Sequence, residues 1–331
     1  MNAPDHPSGQ TDHGSSSPAG EPASWSTLFN QERFHALNVR EAQSVLNAEV
    51  RDDGGRVVGV FGGVLEGDVV VNGYSAPFGG IDLARQRETP ANVMRVIREA
   101  LRQFREAGVS DVRVRLPPPC YGENEPLVQF SLLNSGFVVE RCELNQHIDL
   151  ADLVGPEDYI ARLKSPARRA LLRPDGQDLS FREAVEEREW DRAYLTLELN
   201  RAARGRRLAL SRAYIERARI ALGERVRMFE LFDGERPVAA ALVYRVRERR
   251  ALVVAWGDGD HGLAHSPMNV LAYRVVERAI ADGMETLDLG ISNEHDPEPD
   301  GGLVPNSGLV QFKQSVLARI EPRLTLIRRF A

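Results

Sequence analysis

Cysteine is scarce in this chain: its 331 residues include two, Cys120 and Cys142, with no C-x-x-C pair and no Cys-to-His spacing. That argues against a disulfide framework and against a structural zinc site. Long apolar runs are missing as well. No stretch approaches the roughly 20 residues that a membrane-spanning helix needs, so no membrane insertion is expected. The opening segment MNAPDHPSGQTDHGSSSPAGEPAS has neither the basic start nor the apolar stretch of a signal peptide. Rich in Pro, Gly and Ser, it reads as a disordered tail over 1–24, and the cytoplasm is the expected compartment. Positive charge is not in excess either, since 42 Lys and Arg against 48 Asp and Glu leave a net charge of -6. A general nucleic-acid binder is not suggested, although a local basic face could hold an anionic ligand. There is no G-x-S-x-G and no Cys set beside a His pattern, so no dedicated nucleophile is apparent.

What the chain does have is material for a sizeable core, at 42% hydrophobic and 27% charged residues, and a length that suggests two domains. It also repeats itself. LVQF occurs in ENEPLVQFSLLNSGF and again in PNSGLVQFKQSVLAR, and the surrounding elements recur in the same order. In each half a D-G pair, Asp53-Gly54 or Asp233-Gly234, opens a tight turn between two β-rich runs. A third strand follows. Then Thr89-Pro90 or Ser266-Pro267 marks a helix start, with Pro at the first helical position. Gly108 and Gly283 end these helices. Val93, Ile97, Leu101 and Phe104 recur at helical spacing in the first, as do Leu271, Val275, Val276 and Ile280 in the second. Each half closes with a short strand, a helix carrying LVQF and a last strand. A shared order of elements with shared turn chemistry points to a duplicated module.

One module specifies an α/β (α+β mixed) sheet, mostly antiparallel, flanked by helices. Its third and fourth strands must be parallel, because a helix carries the chain across between them. In the second half this core is preceded by the strand-like DLSFREAV and by two helical stretches, EEREWDRAYLTLELNRAARG and SRAYIERARIALG. Strand, two helices, three-strand meander, helix, strand, helix, strand is the order of the GNAT acyltransferase superfamily, which the sequence resembles over roughly residues 25 to 328. Two such units, with LDLGIS followed by NSGLVQFK, look like the Fem-type and related tandem-GNAT proteins. The division that follows is an N-terminal GNAT-like domain over 25–150, a basic connector over 151–178 and a C-terminal GNAT-like acyltransferase domain over 179–331.

The resemblance implies attack of an amine on an acyl thioester or acyl ester. That chemistry asks for positioning, a donor to the developing oxyanion and a base for the amine proton. The turn AWGDGDHGLAHSPMN enters a helix, and Gly262, His265, Ser266, Met268 and Asn269 are candidates to hold the pyrophosphate of acetyl-CoA or another acyl-CoA. Members that use acyl-CoA carry a Gln or Arg before spaced glycines here, whereas this chain has two aspartates in GDGDHG, Asp258 among them. The long loop DLGISNEHDPEPDGGLVPNSGLVQFK holds Ser292, Glu294, Asn306 and Lys313. Glu294 or His295 is a candidate base, and Asn306 a candidate to orient substrate. A metal cage from His295, Asp296 and Asp300 matches no known spacing, and no metal is expected. In the first half Tyr74, Gly80 and Tyr121 are candidates to line an acceptor cleft between the units. Basic runs supply Arg162, Lys164, Arg168, Arg169 and Arg173, and then Arg201, Arg204, Arg206, Arg207 and Arg212; most read as solvated helix faces.

The expected function is transfer of an acyl group, acetyl for instance, from acyl-CoA to the amine of a small acceptor such as an amino sugar or amino acid. Alternatives are a Fem-like transferase using aminoacyl-tRNA, which would make tRNA the partner, and a ligand-binding protein without catalysis. A monomer or a homodimer would serve either.

Overall fold

A computed structural model describes residues 25–172, 179–259, 266–296 and 302–330. The N-terminal tail and the candidates Gly262 and His265 lie outside these described residues. The first half runs α1 (Glu32–Asn38), β1 (Ser44–Arg51), β2 (Val57–Glu66), β3 (Val69–Asn72), β4 (Asp82–Leu83), α2 (Pro90–Glu106), β5 (Asp111–Arg115), α3 (Glu125–Leu133) and β6 (Val138–Asp149). Next come α4 (Pro156–Arg162) and α5 (Ser165–Leu172). The second half is β7 (Ser180–Glu183), α6 (Glu187–Ala202), α7 (Arg212–Leu222), β8 (Val226–Asp233), β9 (Arg236–Arg247), β10 (Arg250–Asp258), α8 (Pro267–Ala281) and β11 (Thr286–Ile291). It closes with a small hairpin, β12 (Asn293–His295) and β13 (Leu303–Pro305), then α9 (Ser307–Ser315) and β14 (Arg319–Arg329).

Local chemistry explains the matched elements. Thr89 caps α2 by accepting the Asn92 N–H, with Pro90 at the first helical position, and Gly108 ends the helix at φ 75°. The α2 face of Val93, Val96, Ile97, Ala100, Leu101 and Phe104 is buried against the first half's sheet. Between β8 and β9, Gly234 takes φ 56° in a turn that pairs Asp233 with Arg236. The parallel crossovers are present in both halves, β3 beside β5 and β10 beside β11.

The sheets differ from two separate ones. Among the described residues the order is β1-β2-β3-β5-β14-β6-β11-β10-β9-β8-β7, one continuous sheet in which each half is completed by the other's last strand. β14 pairs with β5 from Thr325↔Arg115 to Arg329↔Asp111, while β6 pairs with β11 through Leu287↔Ile148. The two exchanged strands also pair with each other, from Arg319↔His147 to Ile327↔Val138. At 12 and 11 residues they are long enough to bond at one end to a partner half and along most of their length to one another. Leu326, fully buried, thus sits in the first half's core although it belongs to the second half's last strand.

Two further features lock the halves. The segment expected as a basic connector carries α4 and α5, whose Tyr159, Leu163, Ala167 and Leu171 are buried with α8 residues in the second half's core. Its Arg162, Lys164, Arg168 and Arg169 are exposed because the apolar residues are spaced to face α8, while Arg173 lies outside the described residues. Arg247 of β9 reaches into the first half, 2.7 Å from Glu125 and 3.0 Å from both the Tyr121 carbonyl oxygen and Thr27 Oγ1. Burial raises the pKa of Glu125 and of nearby Asp82, and the Arg247 charge opposes that rise.

The exchange makes a definite prediction. Leu326→Ala should cost about 2–5 kcal/mol in urea unfolding, as for other large-to-small changes in a core. Amide exchange in β5 and α2 of the first half should accelerate with it; unchanged exchange there would contradict the exchanged-strand arrangement.

Candidate active site

β10 and β11 are paired only from Arg250↔Thr286 to Leu252↔Asp288. Beyond that point both strands distort at the same level. β10 carries a bulge, with Val253 opposite Val243 but Ala255 opposite Leu242, so that Val254 is the extra residue. In β11 the Asp288 carboxylate accepts the Gly290 N–H at 2.8 Å, and Gly290 takes φ 72°, a conformation that favours glycine. The D-L-G sequence is therefore a kink that turns β11 away from β10. The carbonyls released at the kink are satisfied by Lys313 of α9, whose Nζ donates to Gly290 O at 2.8 Å and Ile291 O at 3.0 Å.

The strands part around a cleft of about 510 Å³. Trp256 and Phe312 form an apolar wall, edge to face with ring centroids 5.6 Å apart, and Met268 at the start of α8 lines the same space. Lys313 lies on its floor, and Arg201, Arg204 and Arg206 line its rim. Arg206 is 3.0 Å from Glu294, and Arg204 is 3.4 Å from Asp258. Arg201 has no acidic partner among the described residues; its burial, with Arg204 and Arg206 close by, lowers its pKa. Among the described residues the rim thus holds an unmatched positive charge. A hollow of about 660 Å³ at the other end of the same strands is walled by Arg227, which is already paired with Glu183 and Asp282, and lies where β10 and β11 are still joined.

Beneath the cleft is a buried polar network that joins the halves. Asp288 is fully buried; it accepts from Tyr121 Oη at 3.0 Å and Asn145 Nδ2 at 2.9 Å as well as from Gly290. Burial nevertheless raises its pKa. Lys313 is driven the other way: burial lowers its pKa from 10.5 to about 7, against the attraction of Asp288. An amine that changes charge near neutrality therefore forms the cleft floor.

The residues singled out in the sequence fall into different places. Lys313, Asn306, Met268 and Asp258 all line the cleft. Asp258 does not stand free: Asn200 Nδ2 binds its Oδ1 at 2.8 Å, so with Arg204 its charge is offset. Asn306 caps α9 through Oδ1 to the Leu309 N–H and donates Nδ2 to Glu294 at 3.1 Å. Glu294 is held at the rim between Asn306 and Arg206. Ser292 is fully buried, its Oγ shut in without a partner and away from the cleft lining. Ser266 precedes α8 in a left-handed conformation and makes no side-chain cap, while its carbonyl accepts the Asn269 N–H. In the first half, Tyr74 bonds Gln43 at the far edge of the sheet, and Gly80, at φ 85° against Pro117, is held by Asn72. Neither lines the cleft. Tyr121 is buried and serves as the strut to Asp288 rather than as a lining residue. Trp256 and Phe312 were not among the site candidates; Arg201 stood only within a basic run, where sequence could not tell it from the neighbours that are paired among the described residues.

The comparisons agree with this architecture. Residues 161–297 match the family model described as Acetyltransferase (GNAT) domain. No curated protein matches the chain in sequence. Among solved structures, FemX superposes with a TM-score of 0.69 at 10% identity, covering 92% of each chain. The C-terminal domain of a putative lysylphosphatidylglycerol synthetase from Agrobacterium fabrum gives 0.52 at 14% identity, over 86% of this chain and 84% of that one. The structure of L-PGS from Bacillus licheniformis gives 0.51 at 12% identity with the same coverage.

Lys313 predicts a pH dependence. In the folded chain its amine is uncharged above about pH 7, while an unfolded chain keeps the proton until near 10.5. The unfolded state binds more protons in that window, so this group makes stability rise with pH from 7 toward 10. Lys313→Met should flatten that part of a urea-midpoint profile; an unchanged slope would refute the perturbed amine.

Proposed function

We propose, for a chain whose residues 161–297 match the model of a GNAT acetyltransferase domain and whose fold superposes on FemX, that it is an N-acyltransferase using the β10/β11 cleft for the activated acyl donor. The observation that carries this reading is the parting of two parallel strands at a bulge and a kink on the same level, with a cationic rim above. From Val253 to Asp258 no described strand pairs with the β11-facing side of β10. Backbone donors and acceptors on that edge can bond the amide groups of an extended donor arm as a further strand would. Trp256 and Phe312 exclude water from the arm, and the unmatched Arg201 with its neighbours suits the donor's phosphates.

The first reading of the donor is acyl-CoA. Asp258, which would repel a phosphate if free, is held by Asn200 and paired with Arg204, so this aspartate does not oppose it; the turn's other aspartate, Asp260, lies outside the described residues. In the reaction a neutral amine nitrogen bonds the acyl carbon as the carbon–sulfur bond breaks. The amine proton passes to a base, and the thiolate leaves. The backbone at the Val254 bulge suits the carbonyl oxygen as its negative charge develops. Glu294, at the rim, is the candidate base, and its bonds to Arg206 and Asn306 fix its direction. Alignment of amine and carbonyl can supply about 7–11 kcal/mol of the rate enhancement.

A second reading, aminoacyl-tRNA as donor, is favoured by the end-to-end superposition on FemX and by three arginines on one rim. There the broken bond is an ester carbon–oxygen bond, and the cleft would hold the aminoacyl end. The acceptor class in either case is a small amine.

Thermal shift against acetyl-CoA, CoA and aminoacyl-tRNA separates the donors, because a ligand at 100 times its Kd stabilises by about 2.7 kcal/mol. A shift with acetyl-CoA supports the first reading and one with aminoacyl-tRNA alone the second; no shift with any of them would sink both. Arg201→Ala should then raise the donor KM about tenfold with little change in kcat, and Glu294→Gln should lower kcat about 10²-fold or more near neutral pH. Unchanged turnover in Glu294→Gln would remove that residue as the base.

A further inference from the structure

We propose that Cys120, His147 and Glu321 form a metal site of the zinc class at the seam between the two halves. The three residues are too far apart in sequence for any spacing motif, but the fold gathers one donor atom from each to within 4.8 Å of the others. Cys120 sits in a 3-10 turn, Pro119–Tyr121, behind a run of prolines in the first half. His147 is on β6, paired across to Asp288 on one side and to Arg319 on the other. Glu321 is on β14, opposite Asn145. The exchange of last strands is what brings the second half's Glu321 to the first half's cysteine and histidine.

The geometry leaves these donor atoms free to take a cation in place of bonding one another. His147 Nδ1 lies 2.9 Å from Glu321 Oε1. That distance would suit an ion pair, yet both atoms are buried without a partner in hydrogen-bond geometry, as is Asn145 Oδ1 on the neighbouring β6 position. With the imidazole in its Nε2–H tautomer, Nδ1 and Oε1 both present lone pairs to the space between them, and a cation there would bind both. A metal bound at about 2.0–2.3 Å to nitrogen, oxygen and sulfur places its ligand atoms about 3–4 Å apart, which suits a cluster of this spread. The glutamate's other oxygen is already oriented, since Oε2 accepts the Cys120 N–H at 3.2 Å. The turn is fixed in its own right by Arg250, whose Nε donates to the Cys120 carbonyl at 3.1 Å. Ligands held this way by neighbours are the usual support of a metal centre.

The donor set selects the ion. One thiolate, one imidazole and one carboxylate suit zinc or a similar divalent transition metal; calcium and magnesium prefer all-oxygen sites. Thiolate and carboxylate together neutralise a dication, so no net charge is buried. The side chains of His147 and Glu321 are only 13% and 10% exposed, leaving a narrow opening for a water as fourth ligand. The ion would tie the 119–121 turn, β6 and β14 together beneath Asp288 and so brace the site without lining the cleft.

Cobalt(II), which substitutes for zinc and reports thiolate ligation by a near-ultraviolet charge-transfer band, provides the test. The full chain without an affinity tag, stripped by chelator, should bind about one equivalent with that band. Cys120→Ser should abolish the band, His147→Gln and Glu321→Gln should weaken binding by more than the roughly 10–100-fold that losing an outer-shell partner costs, and Cys142→Ser should change neither. Circular dichroism establishes that each variant is folded; should Cys120→Ser fail that check, the His147→Gln titration decides alone. Cobalt binding without a thiolate band, a band that survives Cys120→Ser, or undiminished affinity in His147→Gln would overturn the site.

Discussion

The bond from the Asp288 carboxylate to the Gly290 N–H is the constraint on which the cleft depends. A buried carboxylate is costly to desolvate, and this one persists because Tyr121, Asn145 and the Gly290 amide all point donors at it. Holding the amide two residues ahead forces a turn in what would otherwise be a straight strand, and only a glycine enters the left-handed region there without strain. β11 then leaves β10, and the freed carbonyls require a donor, which Lys313 supplies. The cleft, its lysine floor and the sequence D-x-G with a later lysine are consequences of a single hydrogen-bonded kink.

That kink is supported from outside its own half. Tyr121 comes from the first half and Asn145 from its exchanged last strand, so the site of the second half is braced by residues of the first. This explains why a half without the expected cleft residues is retained in one continuous sheet. Its loops and strand β6 form the buried wall against which Asp288 stands, and Arg247 reaches back from β9 to the same loop. The neighbouring Cys120, His147 and Glu321 lie at this junction for the same topological reason.

Much of the fold was legible. The D-G turns, the Thr89-Pro90 cap and the glycine stops are local devices whose chemistry is written in adjacent residues, and the parallel crossover follows from the helix between two strands. Strand exchange was not legible, since β6 and β14 have the same alternation whichever half they complete. The site was read in part. Lys313, Asn306 and Met268 were placed by their loops, but the sequence could not reveal that Lys313 serves the backbone of a kink, that Ser292 is sealed off, or that Tyr121 acts from beneath. Those facts depend on long-range packing. Tyr74 and Gly80 looked alike in sequence because a turn glycine and a boundary tyrosine serve structure and binding equally well.

The central claim is that the gap between β10 and β11 receives the activated acyl donor. Hydrogen exchange, run with whichever of acetyl-CoA and aminoacyl-tRNA supports turnover, examines it at residue level. Slower exchange at those amides of residues 253–258 that β9 leaves unbonded is the result this account predicts. A donor that supports turnover yet leaves those amides unprotected, or protects only the opposite end of the strands around Glu183 and Asp282, would contradict it.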